Sequence, residues 1–320
     1  MEPQAPTRTC IDPRGDLILE VGSDDSKAAF VVCSRALSRS SPFWEKILYG
    51  EFSESQKMHL ERGDAEWVVK LPDDDPDAMK VLLDISHSRF ADVPQVMYPD
   101  ELYPITVITD KYDLTHLLQP WAEGWLSLLR EHPRLNDEHF WIGWNLWIAW
   151  YLGEDYLFRK AINYMATSFN AQTKGCVGVL SPPGVQELFK EFQQKHFQEL
   201  LEPFKTTTDG ILNGGRVICL HTTPMEACGE WMLGTISMSL RAMKMWPIPD
   251  PDAIRGSPRE LAKKLKEVAQ RISKAHPLNH VCGSHISKEL TQICLSRPVL
   301  TEAMRLYIDA QGKKAGLIDC

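Results

Sequence analysis

Cysteine and histidine are the side chains here whose type and spacing could do chemistry. The chain has eight Cys and ten His. Cys10, Cys33 and Cys176 stand apart, whereas Cys219, Cys228, Cys282, Cys294 and Cys320 crowd the C-terminal third. Histidines lie among them, as Cys219-Leu220-His221 and as His280-Val281-Cys282-Gly283-Ser284-His285. A structural zinc ion takes four thiolate or imidazole ligands, commonly supplied as two close pairs. Cys219 with Cys228, and His280 with Cys282, make a candidate set of that kind across two C-terminal helices. The gap between Cys219 and Cys228 exceeds the usual separation of about two to four residues. The alternative therefore stands that these are small buried residues beside solvent-facing histidines. His276 precedes Pro277 and reads as a helix end, not as a ligand.

Signatures of catalysis are missing. There is no G-x-x-x-x-G-K-[ST] loop, no H-E-x-x-H pair and no G-x-S-x-G elbow. Gly214-Gly215 alone is a turn. A Cys/His protease pair can lie far apart in sequence, so motifs alone leave that class open. No cofactor other than zinc is implied, and the expectation is a non-enzymatic protein.

Composition narrows the class further. The 320 residues suffice for two ordinary domains, and 43% hydrophobic with 24% charged residues is the mix of a globular chain with a real core. A net charge of −8 argues against a nucleic-acid partner recognised through a broad basic surface. The charge is uneven: Arg259 to Cys320 holds eleven basic against six acidic residues, leaving −13 elsewhere. No cluster of four basic residues occurs there, so a solvated face is the simpler reading. Met1 to Arg14 has no apolar run, so no secretory signal is expected, and no window suits a membrane span. The cysteines are then expected in a reducing compartment, cytoplasmic or nuclear.

The elements that position these residues can be read from local signals. Leu17–Val21 and Phe30–Cys33 flank a turn at Gly22–Ser26, which predicts a β-hairpin. Arg35-Ala36-Leu37 opens a short helix, and Ser41-Pro42 caps the next. Trp67–Leu71 is a third strand, and Asp75-Pro76 caps a helix through Val81, Leu82 and Ile85. From about residue 100 the chain reads as helices. Trp141, Trp144, Trp147 and Trp150, spaced by three, predict a wide apolar face. Val185–Phe204 is amphipathic, and Ser257-Pro258-Arg259-Glu260 is a capping box before the stripe Leu261, Leu265, Val268, Ile272. Segments 172–184, 205–215 and 247–256 are rich in Gly, Pro, Ser or Thr and read as loops.

Gly15 to Gly22 at the hairpin, Phe30-Val31-Val32, Leu37-Ser38 with Ser41-Pro42-Phe43-Trp44, Gly50 to Ser55, Leu71 to Pro76, Asp110 to Asp113, Pro120-Trp121 and Trp125 follow one another in order. Through these segments, residues 15–130 resemble a BTB/POZ domain of the kind common in filamentous-fungal proteins. The resemblance implies an α+β fold: a small mixed sheet with surrounding helices, followed by a mostly helical region over 131–320. Within it, Asp16, Phe30, Leu37, Phe43, Trp44, Tyr112 and Trp121 are the fold-defining residues. Asp16 can bond backbone or hydroxyl groups beside the first strand. Phe30, Leu37, Phe43 and Trp44 are expected as core, and Tyr112 is expected to pack with its hydroxyl at the surface.

The implied function is recognition of a protein partner, by self-association as a homodimer or by capture. Cys33 and Ser34 stand where many members carry His and a basic residue. Residues 1–14 look like a flexible N-terminus without the strand that dimeric members swap. A cullin-adaptor role needs an apolar residue followed two positions later by Glu, and no Glu occurs between Ala78 and His87. A cullin adaptor and a zinc-stabilised nuclear regulator remain as alternatives. The resemblance continues through 148–154, Phe158, 245–249 and Gly256-Ser257, and relatives carry a richer Cys/His set near Cys219.

Overall fold

Leu17–Val21 is apolar at every position but Glu20 and buried at those four, which suits a strand inside a sheet, and the computed structural model places it between two partners. It describes residues 8–23, 26–131, 139–170, 181–214, 226–274 and 283–318. Strands β1 (Arg8–Cys10), β2 (Leu17–Val21), β3 (Ala28–Val32) and β4 (Val68–Leu71) form one mixed sheet in the order β1-β3-β2-β4. The hairpin β2–β3 is antiparallel, with Leu19 opposite Phe30. Both outer strands run parallel to their neighbours: β4 beside β2 and β1 beside β3.

Helices follow in chain order as α1 (Ser34–Ser40), α2 (Pro42–Tyr49), α3 (Gln56–Arg62), α4 (Pro76–Ser86), α5 (Pro99–Tyr112), α6 (Gln119–Glu131) and α7 (His139–Leu152). After them come α8 (Asp155–Ser168), α9 (Val185–Leu212), α10 (Glu226–Ala242), α11 (Pro258–Lys274), α12 (Ser284–Ile293) and α13 (Glu302–Lys314). The predicted caps form. Ser41 Oγ accepts from the backbone N–H groups of Phe43 and Trp44, and Asp75 Oδ1 accepts from that of Ala78. Ser257 and Glu260 exchange the two bonds of a capping box.

Two compact units emerge. Unit one holds the described residues up to Ala161 and those from Thr301 onward; unit two holds those from Ile162 to Leu300. The first compact unit reaches past residue 130: α7 and the start of α8 belong to it, and so does α13. The cause is apolar surface. Nearly every described residue of α7 is buried, because α5 packs on it and α13 returns to it. The core of unit one gathers Leu19, Val32, Leu37, Trp44, Leu82 and Leu126. Burial of one such side chain contributes about 1.5–3 kcal/mol. In unit two the apolar stripes of α9 to α12 meet, with Leu200, Ile236, Leu265, Ile272 and Leu290 fully enclosed.

Three local expectations are corrected. Residues 1–14 are not uniformly flexible, since Arg8–Cys10 pairs with β3 and the carbonyls of Cys10 and Ile11 accept from Arg89. Segment 205–215 is not a loop up to Leu212, because α9 continues through it. Thr207 Oγ1 and Thr208 Oγ1 return hydrogen bonds to the carbonyls of Pro203 and Lys205. Phe204 and Thr208 are buried on the inner face, and this packing overrides the weak helix propensity of the threonines. Finally, Phe43 is not core: it is 40% exposed, whereas Phe30, Leu37, Trp44 and Trp121 are buried.

Candidate interaction surface

Asp16 stands just before β2 and does the capping that its neighbour does not. Helix α1 starts after Cys33, which makes no side-chain cap bond. Asp16 Oδ1 accepts from the Ser34 backbone N–H at 2.7 Å and Oδ2 accepts from Ser34 Oγ at 2.6 Å. The Ser34 and Tyr49 hydroxyl oxygens lie 2.5 Å apart, which carries the network to the end of α2. The Cys33 N–H donates to His87 Nε2 at 3.0 Å, while His87 Nδ1 lies 2.8 Å from the Leu83 carbonyl. That geometry places the ring proton on Nδ1, because Nε2 must accept.

Tyr112 is the second tie. Its ring stacks on Trp44 at 4.5 Å, and Phe43 meets it edge-on at 5.4 Å. Ser41 Oγ donates to the Tyr112 carbonyl, joining the α2 cap to the end of α5. The expected surface hydroxyl is corrected here: Tyr112 is buried, and its O–H donates to Asp74 Oδ2 at 2.5 Å. Lys111 reaches Oδ1 of the same carboxylate at 2.7 Å. Burial first, and then the bond to Asp74, push the Tyr112 phenol far above its ordinary value.

A third tie is charged and deep. Asp84 is fully buried in α4, with Lys80 at 2.7 Å and Arg89 Nε 3.0 Å from Oδ1. The Arg89 contact is an ion pair without hydrogen-bond alignment. Arg89 also holds Asp92 and the carbonyls next to β1, so one guanidinium fastens the edge strand to α4. Trp121 lies under the half-exposed Phe90, ring centroids 5.6 Å apart, while Trp125 donates to the Pro94 carbonyl. The seven residues read as fold-defining thus cap, stack or fill.

What unit one offers outward is apolar and acidic. Phe43, Phe52, Leu60, Phe90, Val96 and Tyr98 are all at least 40% exposed. The unit carries 31 acidic and 19 basic residues, a net −12, against +4 for unit two.

Sequence reasoning missed α13. Its Tyr307 stacks on Trp150 at 4.2 Å and 11°. Gly153 (φ +76°) ends α7 so close to α13 that a Cβ there would lie 2.0 Å from the Gly312 nitrogen and 2.4 Å from the Ile308 carbonyl oxygen. Gln119 Nε2 donates to the Lys314 carbonyl at 3.0 Å, and Lys314 Nζ lies 3.5 Å from Asp113. A signal existed: Thr301 is an N-cap, accepting from the Met304 N–H, and Met304, Ile308 and Gly312 recur at helical spacing.

Of the four proposed zinc ligands, Cys219, His280 and Cys282 lie outside the described residues. Cys228 is fully buried in the apolar core of unit two, in the company of Met232 and Ile236. His285 Nε2 lies 3.3 Å from Thr207 Oγ1. Among the described residues no three His, Cys, Asp or Glu side chains gather as a metal-holding group. Nor is any helix among them long and apolar enough to cross a membrane. No protein-family model, curated protein or solved structure matches the chain.

Proposed function

We propose that this protein is a non-enzymatic protein-interaction module, with a BTB/POZ-type domain at residues 15–130 that associates with itself or captures a partner. The observation that carries this reading is how the resembling segments are joined. Asp16 ties the hairpin to α1, Ser41 ties α2 to α5, and Asp74 ties the β4–α4 turn to Tyr112. Asp16, Ser41, Asp74 and Tyr112 are occupied in holding elements together, a structural role that supports surface recognition as the domain's output. The exposed aromatic and aliphatic residues are the chemistry from which an interface core is made.

Two differently tagged copies of the full chain, co-expressed and purified on one tag, test the reading. A near-stoichiometric second polypeptide, the other copy or an unrelated chain, is expected. A chain that purifies alone would overturn it, as would a robust turnover activity abolished by replacing one Cys or Ser. A cullin as the second polypeptide would place the protein among ligase adaptors.

A further inference from the structure

Asn213 is the C-cap of α9, and the residue after it is Gly214. Of the six asparagines in the chain, it alone precedes a glycine. The neighbour matters chemically, because a backbone nitrogen can attack the side-chain carbonyl carbon of the asparagine before it. A side chain on that neighbour hinders the approach, and glycine has none.

The fold leaves this pair open. Both residues are exposed, and the Asn213 carboxamide makes no hydrogen bond to any described residue. Around Gly214, whose φ is +75°, a Cβ would meet no atom within 4 Å. One bond guards the nucleophile: the Gly214 N–H donates to the Ile211 carbonyl at 3.2 Å. It belongs to the final turn, where helices fray, so it opens more readily than bonds of the helix interior.

We infer that Asn213 is a site of spontaneous deamidation, and that its conversion loosens the end of α9 as the chain ages. With the last turn open, the Gly214 nitrogen bonds to Asn213 Cγ and the side-chain nitrogen leaves. The proton from the Gly214 N–H ends on the departing ammonia, and a cyclic succinimide remains. Water then opens either of its carbonyls, giving aspartate or its backbone-shifted isomer, with nothing oxidised or reduced. Either product sets a carboxylate at the negative end of the α9 dipole. The aspartate form also stands one helical turn after Asp209, a like-charge pair. The contacts at stake are those of Ile211 with the core of unit two and of Thr207 with His285.

The test uses the native full-length chain, incubated in heavy-oxygen water at mildly alkaline and at mildly acidic pH. Digestion in ordinary water and peptide mass spectrometry then count only conversion that occurred in the folded protein. Loss of Asn213 ahead of every other asparagine is expected, with one heavy oxygen taken up and two isomeric products. The rate should be several-fold higher in alkali, where the attacking nitrogen loses its proton more readily. A denatured sample gives the unhindered rate. An Asn213 that stays intact in the folded chain while the denatured chain converts overturns the inference, and so does faster loss at another asparagine.

Hydrogen exchange of Asn213→Asp reads the consequence. Amides over 211–214 should exchange several-fold faster than in the wild type, with those of α11 unchanged. Unaltered exchange over 211–214 would contradict the loosening of α9.

Discussion

The two units bury different proton carriers, and the difference says what each fold depends on. Unit one encloses phenols: Tyr112 against Asp74, and Tyr151 beside Thr115 and under Trp147. Burial is the first cause that raises both of them above their ordinary value. Unit two encloses imidazoles instead. His196 sits 3.0 Å from Ser296 Oγ, and His285 lies against Thr207. Burial lowers both, and the carboxylates of Glu199 and Glu289 offset it only in part. Unit one adds carboxylates reaching across sequence to its apolar core, whereas unit two is held mainly by apolar stripes.

The sharpest break in that contrast is steric. Gly153→Leu puts a side chain where the Gly312 backbone lies, at a positive φ as well, and should destabilise unit one by about 3 kcal/mol or more. Denaturant unfolding should show unit two's transition unmoved. If both units shift together, they are not energetically distinct.

Next in size is Asp74→Ala, which strands the buried Tyr112 hydroxyl and should cost about 2–3 kcal/mol. Asp74→Asn keeps an acceptor and should cost clearly less. Equal losses for the two would mean that the lysine ion pair, not the phenol, is what Asp74 serves.

In unit two, Cys228→Ser sets a hydroxyl in an apolar core and should cost about 1–3 kcal/mol, whereas Cys228→Ala loses mainly packing. Zinc measured on the purified wild-type chain separates the alternatives. A full equivalent of metal, lost in both variants, would restore Cys228 as a ligand.

The pH responses should also divide. A phenol whose value is raised by folding stabilises the fold below its unfolded value of about 10, and that contribution is lost as pH rises beyond it. Unit one should therefore weaken first in alkali. An imidazole whose value is lowered by folding stabilises the fold above about 6.5, and the contribution is lost as pH falls below that. Unit two should weaken first in mild acid, and His196→Gln should flatten that response. Identical pH profiles for the two transitions would remove the contrast. The smallest effect is expected at Phe43→Ala, roughly 0.5–1 kcal/mol, because only one edge contact to Tyr112 is lost.

What could be read in advance was local chemistry. The caps at Ser41, Asp75 and Ser257 and the hairpin around residues 22–26 are decided by neighbours a few residues away, and each formed as read. The stripe Leu261, Leu265, Val268, Ile272 is of the same kind. Long-range partners were not legible. Tyr112 finds its acceptor 38 residues away at Asp74, so its amphipathic side chain suggested a wet hydroxyl. Phe43 and Trp44 are adjacent, and only the direction of α2 decides which of them is buried. Three exposed residues are too few to show the alternation of β1, and nothing local in 301–314 says that this helix returns to α7.

The measurement that tests the central claim most directly is quantitative mass spectrometry of the tagged full-length chain purified with a differently tagged copy present. A recognition module should bring down a second polypeptide at near-stoichiometric amounts, and Asp74→Ala, which unties the domain, should lose it. A wild-type chain that comes through alone would contradict the account.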